Sequence, residues 1–147
     1  MEWHRGSYTI STDLSRFDLA RVHHYLASDA YWSPGIPFEV VAKAFQNSLS
    51  FGIFQGEEQV GWARLVTDRA TFAYLADVYV LETHRGAGLG QWLMEVILAH
   101  PELQGLRRWM LATRDAHSLY ARYGFRPLTT PERFMERYFP DVYKKSV

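Results

Sequence analysis

Three glycines at alternate positions, Gly86, Gly88 and Gly90, follow Arg85 and open a stretch in which Leu89, Trp92, Leu93, Val96 and Ile97 fall at i, i+3, i+4, i+7 and i+8. That spacing is one apolar stripe of a helix. Glycines before a helix let the backbone turn tightly and present successive N–H groups, an arrangement suited to a phosphate or pyrophosphate. The alternative is a turn that only joins a strand to a helix. Two familiar phosphate patterns do not fit. A P-loop needs Gly-Lys-Ser/Thr, and here Gly90-Gln91-Trp92 follows. A dinucleotide fingerprint needs G-x-G-x-x-G in a parallel βαβ unit, and here the spacing is G-x-G-x-G after a run that reads as part of an antiparallel meander. Upstream, Asp77 reads as lying between Leu75 and Tyr79 on one strand face; an acid among apolar neighbours is either partnered or functional.

The chain that must position these groups has 147 residues, enough for one domain, expected over residues 1–147. Sixteen basic residues balance sixteen acidic ones, so no overall field attracts nucleic acid or an anionic membrane. Cysteine is absent, which excludes disulfides, thiolate metal sites and a cysteine nucleophile. The six histidines contain no His-x-x-x-His pair, and no metal is assigned. No apolar run approaches the ~20 residues of a membrane span, and the start lacks a signal-peptide core. A cytoplasmic domain is expected. Aromatic residues make up 16%, enough to line a pocket as well as a core.

Periodicity orders the elements. Tyr8 to Ser11 reads as a strand, after which Asp13 or Ser15 caps a helix with Asp18 in its first turn. Tyr31 to Pro37, with two prolines and a glycine, is a loop, and a second helix runs from about Phe38 to Asn47. Leu49–Phe54, Val60–Val66 and Thr71–Leu81 form a meander; the glycine loop and its helix follow, ended by His100 and Pro101. Arg108–Thr113 is a strand, Asp115–Arg122 a short helix, and Phe125–Leu128 a last strand. The order β-α-α-β-β-β-α-β-α-β predicts an α+β fold, layered α/β/α, with a mixed, mostly antiparallel twisted sheet and helices on both faces.

Within that order the sequence resembles the GNAT family of acetyl-CoA-dependent N-acetyltransferases. The resemblance rests on Arg85-Gly86-Ala87-Gly88-Leu89-Gly90, similar to the family's Arg/Gln-x-x-Gly-x-Gly/Ala, and on Leu119-Tyr120-Ala121-Arg122-Tyr123-Gly124-Phe125, similar to Leu-Tyr-x-x-x-Gly-Phe. It is close from about Phe51 to Leu128 and architectural only over the first fifty residues. Glu82 stands where the family often has proline, and Thr113 where it often has asparagine.

The resemblance implies acetyl-CoA as co-substrate, with Val80, Leu81, Arg85, Gly86, Ala87, Gly88, Leu89, Gly90 and Thr113 as its contacts. It implies a bulge at Val80 whose free N–H polarises the thioester, and Tyr120 as general acid toward the thiolate. Asp77 is the candidate base or ammonium ligand, or else a structural hydrogen bond to a neighbouring loop. Tyr31 and Trp32 are candidate acceptor contacts and equally suit a plug between helices; Tyr74, His84 and His117 are secondary candidates, with a surface or hydrogen-bonding role as the alternative for His117. The expected acceptor is a primary amine of a small molecule. A lysine or N-terminal protein acetyltransferase and a non-catalytic acyl-CoA sensor are the alternatives. The aromatics Phe134, Tyr138, Phe139 and Tyr143 are compatible with a homodimer or with packing on their own domain.

Overall fold

The computed structural model describes residues 1–144; the last three residues of the expected domain lie outside the described residues. In chain order the elements are β1 (Glu2–Arg5), β2 (Tyr8–Ser11), α1 (Leu19–Ser28), α2 (Phe38–Gln46), β3 (Leu49–Gln55), β4 (Glu58–Thr67), β5 (Phe72–Val80), α3 (Leu89–Ala99), β6 (Arg108–Leu111) and α4 (His117–Ala121). The strands form one six-stranded sheet in the order β1-β2-β3-β4-β5-β6. Pairs from β1 to β5 are antiparallel, and β5–β6 is parallel, joined by the α3 crossover. No helix among the described residues is long and apolar enough to cross a membrane.

Alternation along the strands divides the core. Phe51, Leu65 and Leu75 meet Leu93 and Ile97 of α3 on one face. Trp62 and Tyr79 meet Val22 and Leu26 of α1 and Val41 and Phe45 of α2 on the other. Each fully buried Leu, Ile, Val or Phe contributes about 1.5–3 kcal/mol relative to exposure, so these two seams fix the helices. The layered α+β architecture is therefore as the sequence predicts.

Local boundaries differ for physical reasons. Asp18, not Asp13 or Ser15, caps α1, accepting from Arg21 N at 3.0 Å, while Asp13 caps a 3-10 turn at Leu14–Arg16. The unexpected β1 is a short, largely exposed edge strand with no apolar alternation to announce it. The expected strand Phe125–Leu128 is absent from the sheet, which ends at β6. Pro127 has no N–H to give a ladder and biases Arg126 toward irregular extended backbone.

The most consequential departure is a bulge. Arg64 pairs with Asp77 but Leu65 with Leu75, so Ala76 has no partner on β4. One extra residue inverts the side-chain alternation. Leu75 therefore packs against the α3 side, while Tyr79 packs with α1 and α2. Asp77 does not share a face with Leu75, and the bulge lies at Ala76 rather than at Val80.

Candidate functional site

The bulge coincides with a parting of strands. β6 pairs with β5 only over Phe72–Leu75, and β5 runs on to Val80 with no partner on that side. The gap is a cleft of about 630 Å³, lined by Tyr74, Ala76 and Val78 of β5, by Thr113 and Tyr120 after β6, and by Tyr31 and Trp32 of the α1–α2 loop. It passes from the α1–α2 side of the sheet to the α4 side.

Backbone polarity at the end of β5 follows from register. Leu81 N–H donates to the Val60 carbonyl at 2.9 Å, and Val80 stands opposite Gly61. Alternate residues of an antiparallel strand face opposite neighbours, so the Val80 N–H and C=O point away from β4. The carbonyl is taken by Arg85, whose Nε donates to it at 2.8 Å. The Arg85 guanidinium also lies 5.3 Å from the Tyr79 ring centroid, so this side chain braces the glycine loop against β5.

That loop is built as an anion site requires. Gly86 and Gly88 have φ of 87° and 74°, a region that L side chains rarely adopt. A Cβ at Gly86, Gly88 or Gly90 would meet open space, so the loop's glycines serve no close packing contact. Trp92 N–H to Gly88 C=O, 3.0 Å, is the first intrahelical bond of α3, and no side chain caps its N-terminus. The amides of Leu89, Gly90 and Gln91 precede that bond and are available, with the helix dipole behind them.

Tyr120 is 9% exposed and belongs to the α3-side core. Burial, followed by the influence of Tyr31 and the charge of Asp115, pushes its phenol above the ordinary value of about 10. It stays protonated at neutral pH and has a proton to donate there. Thr113 accepts the Ala116 N–H at 3.1 Å at the start of α4, which leaves its own hydroxyl proton free to donate into the cleft.

Asp77 is 7% exposed and fully engaged. Trp32 Nε1–H donates to Oδ1 at 2.6 Å, and Arg64 Nε to Oδ2 at 2.7 Å. Arg64 also reaches Ser48 Oγ at 3.2 Å. The carboxylate thus ties the α1–α2 loop to the sheet. Tyr31 ties the same loop across the cleft, accepting from Arg114 N–H at 3.0 Å under the Arg114 guanidinium.

The sequence profile of the acetyltransferase (GNAT) family matches residues 18–125. The chain belongs to the GNAT acetyltransferases. A crystal structure of a GNAT-family protein from Xanthomonas campestris pv. campestris superposes with a TM-score of 0.93 at 48% identity, covering 97% of this acetyltransferase and all of that chain. A Gibberella zeae protein designated an acetyltransferase is 34% identical over 142 residues, spanning 82% of this chain and 79% of that one. A GNAT-family acetyltransferase from Elizabethkingia anophelis, solved with acetyl-CoA bound, shares the fold at a TM-score of 0.63 and 14% identity, over 92% of this chain and 90% of that one.

The acetyltransferase brings together Tyr31, Trp32, Tyr74, Thr113 and Tyr120 on one cleft, whose lining includes neither Asp77 nor His117. His117 is exposed and lines a neighbouring groove that shares Leu111, Ala112, Thr113 and Tyr120 with the cleft. His84 Nδ1 is paired with the Tyr8 hydroxyl at 3.0 Å. Three charged lining residues carry no sequence signal: Arg114 and Asp115 follow β6, and Glu136 lies with Tyr138 in the irregular C-terminal segment. Among the described residues no group of three His, Asp or Glu side chains is placed to hold a metal ion.

Proposed function

We propose that this acetyltransferase moves the acetyl group of acetyl-CoA to a primary amine of a small molecule by direct attack on the thioester. The observation that carries the reading is the cleft between β5 and β6. Buried, protonated Tyr120 lines it together with Val78 of β5; two residues further along the strand the Val80 N–H faces away from β4, and the uncapped glycine loop follows in the chain. Glycines whose missing Cβ atoms would project into open space leave room for a pyrophosphate, so the residues fit the co-substrate.

Bound acetyl-CoA supplies an acetyl group activated as a thioester. The amides from Gly86 to Gly90 would hold its pyrophosphate, with Val80, Leu81 and Thr113 along its arm. The Val80 N–H donates to the carbonyl oxygen as negative charge gathers there, a donor oriented in advance by the strand. As the amine nitrogen bonds to the carbonyl carbon and the carbon–sulfur bond breaks, the Tyr120 hydroxyl gives its proton to the departing sulfur, and the proton the nitrogen sheds passes through solvent in the cleft to restore the phenol. Asp77, both oxygens occupied, serves by fixing Trp32 at the acceptor mouth. A homodimer belongs to the same proposal, with Phe139 and Val142 61% and 65% exposed; sedimentation velocity reads it directly.

The test is a thermal melt with and without acetyl-CoA, repeated on Gly90→Glu. A glutamate in the first turn of α3 suits the helix dipole, yet it repels phosphate from the loop. A ligand at about 100 Kd adds roughly 2.7 kcal/mol, a clear Tm shift. A shift in the wild type that the variant loses, together with CoA release in the presence of amines, supports the reading. A shift without CoA release from any amine favours a sensor. No shift at all overturns the site.

A further inference from the structure

The C-terminal segment builds part of the cleft. Phe134 lies under the Arg108 guanidinium, 4.9 Å away, beside the start of β6. Nine residues later the backbone oxygen of Tyr143 stands 3.5 Å from the Cβ position of Gly35, in the α1–α2 loop. Between these anchors the chain crosses the mouth on the α1–α2 side and places Glu136 and Tyr138 on the cleft lining.

The charges there are few and unequal. Asp115 and Glu136 are the carboxylates on the lining, and Arg114 is the cation. The Arg114 guanidinium lies 3.9 Å from the Tyr31 ring centroid. Among the described residues neither Asp115 nor Glu136 forms an ion pair. Asp115 shares the cleft lining with Tyr120. The remaining wall mixes the rings of Tyr31, Trp32, Tyr74 and Tyr138 with small and aliphatic side chains such as Ala76, Val78 and Leu111. Unpaired carboxylates beside aromatic rings are a cation-recognising surface. The reacting amine sheds its charge before it attacks a carbonyl, so a carboxylate that keeps its cation through the reaction serves a second, non-reacting ammonium.

Resting on the acetyltransferase reading above, we propose that the acceptor is a small aliphatic diamine, and that Glu136, with the rings of Tyr138 and Tyr31, selects it by its second ammonium group. The cleft volume suits a small molecule. Asp115, nearer Tyr120 in the chain, adds to the negative potential that draws the acceptor in.

The experiment compares 1,4-diaminobutane, 1-aminobutane and 4-aminobutanoate, three chains differing only at the far end, by CoA release with acetyl-CoA. The expected order of kcat/KM is diamine, alkylamine, amino acid, with a diamine advantage of about tenfold or more, expressed in KM. Glu136→Gln should collapse that ratio, and Glu136→Lys should turn the preference toward 4-aminobutanoate, while both keep the acetyl-CoA Tm shift. Equal rates across the wild-type panel, or a ratio unmoved in both variants, overturn the proposal. So does a basic peptide used far better than the diamine. Absence of CoA release and of the acetyl-CoA shift is the failure of the acetyltransferase reading. In that case a diamine-induced Tm shift lost in Glu136→Gln still upholds the cation site, and its absence overturns it.

Discussion

Trp32 and Asp77, 45 residues apart in the chain, are joined by an indole N–H to carboxylate bond of 2.6 Å. The second carboxylate oxygen is held by Arg64, so the bond links an acceptor-side loop to an ion pair anchored in the sheet. Asp77→Asn removes the charge opposite a largely buried guanidinium, a change that costs ~3–5 kcal/mol where burial is complete. The variant should lose several degrees of Tm and show a raised KM for the amine. Trp32→Phe should raise the same KM with a smaller loss of Tm. In both, the pH profile of kcat should keep its shape; loss of its acidic limb in Asp77→Asn would instead make Asp77 the base.

Tyr120→Phe should lower kcat by ~10²-fold, the lower end of general acid contributions, and leave the acetyl-CoA Tm shift intact. The raised phenol value adds a second expectation. The acid form persists beyond pH 10, so no limb from Tyr120 should appear in the kcat profile below about pH 10. Full turnover in the variant would remove Tyr120 from the chemistry.

Arg85 should act through the loop. Its Nε bond to the Val80 carbonyl and its stacking on Tyr79 hold the glycine turn against β5. Arg85→Ala should weaken acetyl-CoA binding about tenfold by calorimetry. Arg85→Lys should restore little, because an ammonium lacks the planar fork that donates and stacks together. Recovery of full affinity by lysine would point to plain charge attraction.

His100 gives the fold a pH dependence. It is buried, 2% exposed, and its Nδ1 accepts the Glu102 N–H at 3.1 Å. Desolvation lowers its pKa below the ordinary 6.5, with Glu102 opposing. Between the folded value and 6.5 the unfolded chain binds more protons, so stability rises with pH through that window and falls on acidification. Melts from pH 7 down to 5 should show Tm decreasing, with a shallower slope in His100→Asn, which retains a side-chain acceptor.

Much of this site was legible because some of its requirements are written in residue type. Positive φ at Gly86 and Gly88 needs glycine, and an apolar stripe from Leu89 to Ile97 needs helical spacing; both survive as patterns. The bulge is different. Leu75, Asp77 and Tyr79 alternate as if on one face, and nothing in those side chains reports that Ala76 is skipped by β4. Register is decided by pairing across strands, so a strand read alone assigns Asp77 to the wrong face. The partners of Asp77 come from a loop and a neighbouring strand, which no local window contains. Glu136 and Tyr138 reach the cleft through an irregular segment whose path is set by its anchors at Arg108 and Gly35.

The parting of β5 and β6 also bears on motion. Four residue pairs join these strands, against seven between β4 and β5. A seam so short, at the edge of the sheet, has few bonds to break before it opens locally. The amides of β6 should therefore exchange with solvent sooner than those of β3 and β4. A molecule lying in the cleft touches both sides of that seam and adds the contacts the strands lack, so substrate binding and closure of the sheet's last join become a single cooperative event.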